Sequence, residues 1–362
     1  MMASSQKRQK TALAHPNIAE LDGYIVLSPA NRQYYTGFSG SSGVVVVTRQ
    51  GAWLITDFRY VEQARHEAVG VHVVQGHGDL WQSVREILDG LSVRRMGFES
   101  RFMTVDQWAA LTLAIPDVQW RAVDNGLDAV RMIKDVKEVQ TLRRAVSVAE
   151  RGLRDVRRFI NVGTQEMTLA RELDVAMRRA GAQGSAFPTI VASGPRGALP
   201  HAHPTGKELA SGECVTIDFG ATVDGYHSDQ TVTMVVGGEN PKQARLRAIY
   251  DIVLEAQERG IAAVGPGVAA HVIDDVCRAY IAGAGFGEYF GHATGHGIGL
   301  AVHEAPILRG KNETILRPGM VVTVEPGIYV PGLGGVRLED MVLVTEDGVT
   351  KLTSWPKTWT VV

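Results

Sequence analysis

The sequence predicts an α/β domain over residues 1–128, followed by a larger α+β domain over residues 129–362 that is built as two related halves. Three observations carry this. Strand-like and helix-like runs alternate in the first part, as they do in α/β sheets. The second part repeats one helix–helix–strand grammar. A strand with an acid in it also occurs twice. "GECVTIDFG" (212–220) and "GMVVTVEPG" (319–327) share Gly, two residues, Val-Thr, Ile or Val, an acid, one residue and Gly.

Taken in order, the opening "MMASSQKRQKTALAHPNIAE" carries positive charge with no apolar stretch behind it, so it reads as a frayed tail and not as a secretory signal. "YIVLS", "GVVVVT", "AWLIT", "VHVV", "RMGFE" and "VQWRAV" read as strands. The unbroken valines of the second have no alternation, as expected of a strand covered on both faces. "RYVEQARHEAV", "LWQSVREILDGL" and "VDQWAALTLAI" read as helices. No chemistry is legible in this domain; "GFSGS" lacks the Gly-x-Ser-x-Gly spacing of a nucleophile elbow.

A boundary falls near "NGLDAVRMIKD". Asp135 then caps a long helix, with Glu138 as its capping-box partner and Val139, Leu142, Val146 and Ala149 on one face. From there the chain duplicates itself. A Val-Gly break at 162–163 and an Ala-Gly stop at 180–181 return as Val-Gly at 264–265 and Ala-Gly at 284–285. Each unit leads to the strand with the acid. Halves related by a pseudo-twofold would bring those strands face to face.

Bulk composition excludes several function classes. Hydrophobic residues are 45% and charged residues 21% of 362, and the net charge is −2, so nothing points to a nucleic-acid or membrane partner. No window approaches the roughly 18 apolar residues of a membrane span. Two cysteines, Cys214 and Cys277, without motif spacing fit a reducing cytoplasm and buried, inert thiols.

The acids raise the central question, because a carboxylate is costly to bury unpaired. After Asp218 the turn "VDGY" returns the chain through "HSDQTVTMVV", where Asp229 is read in the second strand; after Glu325, "GLGG" returns it through "VRLEDMVLVT" with Glu339. Four carboxylates converging in an apolar centre can ionise together only around cations. Histidines supply the other donors. Five of eleven lie in "LPHAHPT" (His201, His203) and "GHATGHGIGLAVHE" (His292, His296, His303). The glycines at 295, 297 and 299 disfavour a helix there, so an extended segment aiming imidazoles into a cleft is expected. His203, beside Pro204, reads as a local turn residue, and His15, His66, His72, His77, His227 and His271 as surface or core residues.

On these motifs the chain from about 130 to its end resembles the creatinase/methionine-aminopeptidase superfamily with the pita-bread fold. Its first part resembles the accessory domain of the proline-specific branch. The resemblance implies two metal ions bound by Asp218 in "IDFG", Asp229 in "HSDQT", His296 in "TGHGIG", Glu325 in "VEPG" and Glu339 in "RLED". His201, His292, His303 and Arg337 also match the family pattern. "YYTGFSGSSG" followed by "ITDFRYVEQA" is more similar to bacterial Xaa-Pro aminopeptidases than to dipeptidases.

The implied ligand set, one imidazole and four carboxylates, is hard and oxygen-rich. It favours Mn²⁺, with Co²⁺ or Zn²⁺ next. The expected reaction is hydrolysis of the bond before a proline in a peptide, with Glu325 moving the proton, His303 and His201 stabilising the oxyanion, and His292 lining the proline pocket. Arg337 is expected to hold a ligand carboxylate. An Xaa-Pro dipeptidase is the alternative, and a metal-free binding module on the same fold a remoter one that the complete ligand set disfavours. The resemblance also implies a homodimer.

Overall fold

The computed structural model describes residues 4–123, 126–238 and 241–362. The chain divides into two compact units, Met1–Arg131 and Met132–Val362. Asn125, which opens the boundary stretch, lies outside the described residues.

The first unit holds β1 (Gly23–Val26), β2 (Val44–Thr48), β3 (Ala52–Thr56), β4 (His72–Gln75), β5 (Arg95–Glu99) and β6 (Gln119–Val123) in one sheet ordered β4-β3-β2-β1-β5-β6. The β1–β5, β5–β6 and β3–β4 pairs are parallel, and the β1–β2 and β2–β3 pairs antiparallel. All five residues of β2 are buried, as its apolar run requires. Ile25, Val46, Ile55, Trp81, Met96, Phe98 and Leu111 pack together as its core.

The opening segment corrects the expectation of a frayed tail. Residues Ser4–Leu13 form helix α1, whose Ala12 and Leu13 are buried. Polar anchors fix it: Ser5 Oγ donates to the Val69 carbonyl at 2.6 Å, Gln9 Nε2 to the Tyr35 carbonyl at 2.8 Å, and the Arg8 guanidinium lies 4.1 Å from the Tyr34 ring centre. The helix has few apolar residues, so its docking through side-chain amides and hydroxyls leaves no periodicity in the sequence.

The second unit is the duplicated one. Helices α2 (Val136–Val156) and α3 (Glu166–Arg179) precede β7 (Ile190–Ser193), β8 (Cys214–Phe219), the short strands β9 (Ala221–Val223) and β10 (Tyr226–His227), and β11 (Gln230–Val235). Helices α4 (Pro241–Ala263) and α5 (Ala270–Gly283) precede β12 (Gly295–Gly297), β13 (Glu304–Leu308), β14 (Val321–Val324), β15 (Gly327–Val330), β16 (Gly334–Arg337) and β17 (Asp340–Thr345). Asp135 and Glu138 form a full capping box at the start of α2. The β8–β11 and β14–β17 pairs are both antiparallel, and each is interrupted along the chain by the same device: a small hairpin, β9–β10 or β15–β16, between its two strands.

Strand periodicity then places the acids. Val215, Ile217 and Phe219 of β8 and Val232 and Met234 of β11 pack with α2 and α3 residues such as Leu153, Leu169 and Met177. Val322 and Val324 of β14 and Val342 and Val344 of β17 pack with Val253, Ile273 and Cys277 of the other helix pair. Since side chains alternate across a strand, Asp218 with Thr216, Asp229 with Thr231 and Thr233, and Glu325 with Thr323 fall on the faces turned away from the helix pair of their own half. Those faces meet at a seam: Thr216 Oγ1 donates to the Gly335 carbonyl at 3.4 Å, Thr233 Oγ1 to the Arg337 carbonyl at 2.9 Å, and Glu339 N to the Thr231 carbonyl at 3.1 Å. None of the described helices is long and apolar enough to cross a membrane.

Candidate metal centre

Asp218 lies within β8, but Asp229 precedes β11, Glu325 follows β14 and Glu339 stands between β16 and β17. Asp229 and Glu339 were expected within the returning strands; both stand instead at breaks in them. A carboxylate at a break keeps the phase of its strand while its backbone leaves the ladder.

His296 sits at the centre of β12, in an extended segment and not a helix. Its flanking glycines are demanded by backbone contact. A Cβ on Gly295 would stand 2.0 Å from the Thr323 carbonyl oxygen, and one on Gly297 would stand 2.3 Å from that of Ala305. The backbone of β12 thereby lies close against both β13 and β14. Thr323 Oγ1 accepts from His296 N at 3.0 Å and donates to Glu325 Oε1 at 3.3 Å, linking the His296 backbone to the Glu325 carboxylate.

The five expected ligands come together. One donor atom each of Asp229, His296 and Glu339, all buried, lies within 4.8 Å of the others. His296 Nε2 is 3.6 Å from Asp229 Oδ2 and 3.4 Å from Glu325 Oε1. Asp218 stands beside them, its Oδ2 accepting from Arg337 Nη2 at 2.8 Å. Two of the buried carboxylate oxygens, Asp218 Oδ1 and Glu339 Oε1, have no hydrogen-bond partner. Buried acceptors are rarely left so. Burial pushes the Asp229 and Glu339 carboxyls well above the usual range and Glu325 up to about 8, and the neighbouring carboxylates add to each shift. Orphaned oxygens and carboxyls pushed up by burial suit a cluster built to hold cations. The donor set fits divalent ions with a preference for oxygen.

Around the cluster opens a cavity of about 440 Å³, lined by all five of these residues and by His201, His292, His303 and Arg337, with Phe187, Ile190 and Ile307 among its apolar walls. His203, expected to be local, also reaches this lining. The His296 and His303 rings meet edge to face at 4.4 Å between centres. Burial drives His292 and His296 down to about 4 and lowers His303, which the neighbouring His201 lowers further, so these imidazoles are neutral at pH 7.

Sequence reasoning missed Tyr329. Its hydroxyl is 2.8 Å from His292 Nε2 and accepts from Arg337 Nη1 at 2.9 Å, completing a chain from His292 through Tyr329 and Arg337 to Asp218. Thr231 was missed as well; its Oγ1 donates to Glu339 Oε2 at 2.8 Å and accepts from Arg337 Nε at 3.2 Å. An aromatic and a threonine in a strand carry no signal of their own. Only the return of the chain across the seam gives them partners.

Residues 140–346 match metallopeptidase family M24, and residues 8–133 match the creatinase/prolidase N-terminal domain. The sequence is 41% identical to the uncharacterized peptidase YqhT of Bacillus subtilis over 93% of this chain and 95% of that protein. The structure is similar to that of an Xaa-Pro dipeptidase from Bacillus anthracis, with a TM-score of 0.95 and 40% identity over 99% of this chain and 100% of that one. It is also similar to an X-Pro aminopeptidase from Thermotoga maritima, with a TM-score of 0.90 and 33% identity over 98% and 100%.

Proposed function

The chain belongs to metallopeptidase family M24, and on that premise we propose that it is a two-metal Xaa-Pro aminopeptidase, hydrolysing the bond between an N-terminal residue and a following proline. The observation that carries the reading is the cluster of Asp229, His296 and Glu339 donors within 4.8 Å, beside the orphaned oxygens of Asp218 and Glu339. Asp218, Asp229, His296, Glu325 and Glu339 would hold two divalent ions, Mn²⁺ first, then Co²⁺ or Zn²⁺. Such ions, when bound, lower the pKa of water towards about 7 and polarise the scissile carbonyl.

The chain's own residues do the rest. Glu325, at the edge of the cluster and 3.4 Å from His296, takes the proton of the attacking water and delivers it to the leaving imide nitrogen. His303 and His201 donate N–H groups to the developing oxyanion. His292, oriented by the Tyr329 hydroxyl, lines the place of the proline ring. Arg337 holds Asp218 in position and does not touch substrate. Proline has no amide hydrogen, so a cleft that offers no acceptor to that nitrogen favours it.

An Xaa-Pro dipeptidase is the second reading, favoured by the similarity to the Bacillus anthracis enzyme of that name. Two buried free cysteines suit a reducing compartment such as the cytoplasm. The family resemblance adds a homodimer, which a mass measurement in solution would check. Hydrolysis of an Xaa-Pro-Yaa tripeptide and of a Gly-Pro dipeptide by the Mn²⁺-loaded protein tests the main reading. Cleavage of the tripeptide with little of the dipeptide is expected; the reverse preference establishes the dipeptidase.

A further inference from the structure

Each half carries one buried carboxylate on its second helix, and each carboxylate joins the two ends of a histidine-bearing segment. In the first half this is Glu166, at the start of α3 and 0% exposed. Its Oε1 accepts from Ser193 N at 2.8 Å and Ser193 Oγ at 2.9 Å. Its Oε2 accepts from Arg196 Nε at 3.0 Å, Thr205 N at 3.2 Å and Thr205 Oγ1 at 2.9 Å. Arg196 Nη2 in turn donates to the His203 carbonyl at 2.6 Å. The segment closed in this way, 193–205, contains His201.

In the second half it is Asp274 on α5, 2% exposed. Its Oδ1 accepts from Thr294 N at 3.2 Å, Thr294 Oγ1 at 2.8 Å and Arg278 Nη2 at 2.8 Å. Its Oδ2 accepts from Arg278 Nε at 3.0 Å and Gly310 N at 3.1 Å. Arg278 also donates to the Phe290 and His292 carbonyls, each at 2.8 Å. The segment 292–310 contains His292, His296 and His303.

We propose that Glu166–Arg196 and Asp274–Arg278 are paired positioning clamps, each fixing the functional histidines of its own half through the backbone. Much of both segments is irregular, so backbone groups there lack ladder partners and need side chains to satisfy them. A carboxylate offers acceptor sites only, and here both oxygens of each clamp face donors. An amide in its place would turn an NH₂ group towards those donors whichever way it is set. Neither Glu166 nor Asp274 lines the cavity, so their action on the site is indirect.

The two clamps predict different losses. The second holds the segment of His296, so Asp274→Asn should weaken Mn²⁺ binding to the metal-stripped protein about ten-fold or more, and lower kcat. The first holds His201 and His203 but none of the five expected metal ligands, so Glu166→Gln should leave Mn²⁺ binding unchanged while kcat falls about ten- to a hundred-fold. Thr294→Val and Thr205→Val, which each remove one hydroxyl, should reproduce the two patterns more weakly and decide the matter if a carboxylate variant fails to fold. Calorimetric Mn²⁺ titration, tripeptide kinetics and the melting temperature of the metal-free protein are read together. Lowered melting temperatures with Mn²⁺ binding and kcat intact would overturn the clamps, as would equal loss of Mn²⁺ binding in both variants. Only the kinetic arm rests on the peptidase reading: if the wild type does not cleave the tripeptide, that reading fails, while the Mn²⁺ titrations still test the clamps.

Discussion

Arg337 and Asp218 come from opposite halves and meet at 2.8 Å, leaving one Asp218 oxygen bonded and the other, Oδ1, free of partners. Arg337 is buried and Asp218 largely so, with side chains 4% and 14% exposed. Removing the guanidinium therefore strands a carboxylate in the seam. Arg337→Met is expected to lower stability by about 3–5 kcal/mol, read by urea unfolding of the metal-free protein, and to abolish most hydrolysis. Unchanged unfolding would mean that the pair does not join the halves.

Metal removal should change how stability depends on pH. Burial raises Glu325 to about 8 and Asp229 and Glu339 well above their ordinary values. In the metal-free protein these groups keep protons that the unfolded chain has already released, so stability falls as pH rises towards 8. His292 and His296, lowered to about 4, act oppositely, but mainly below about 6.5, where most unfolded histidine holds its proton. Between pH 6.5 and 8 the chelated protein should lose melting temperature, and saturating Mn²⁺ should remove that slope. A rising slope in chelator would contradict the carboxyl assignment.

Cys214 and Cys277 are free and buried, and desolvation pushes both thiols up to about 12. The thiolate is the reactive species. The native protein at pH 8 should therefore resist a thiol-specific disulfide reagent, and the urea-unfolded protein should release two equivalents. Rapid reaction of either thiol in the native state would show that its burial is incomplete.

Much of this was legible because the duplication writes its signals twice. Asp218 and Glu325 each break an apolar strand at the same place in a repeated phrase, and the phase of two carries Asp229 into line with Thr231 and Thr233. The glycines beside His296 announced an extended segment, since their missing side chains make room for the Thr323 and Ala305 carbonyls. What escaped notice depends on partners remote in sequence. Tyr329 matters through His292 and Arg337, and Asp274 through Thr294 and Gly310. Helix α1 escaped because it docks by Ser5 and Gln9, which no hydrophobic period records.

The most direct measurement is tripeptide hydrolysis during Mn²⁺ titration of the chelator-treated protein, with bound metal counted in the same samples and in Glu325→Ala and Asp229→Ala variants. Expected are no cleavage without metal, cleavage that grows as ions fill the site, and no cleavage by either variant at saturation. Full cleavage by the metal-free protein, or by Glu325→Ala, would contradict a metal-dependent reaction in which Glu325 carries the proton.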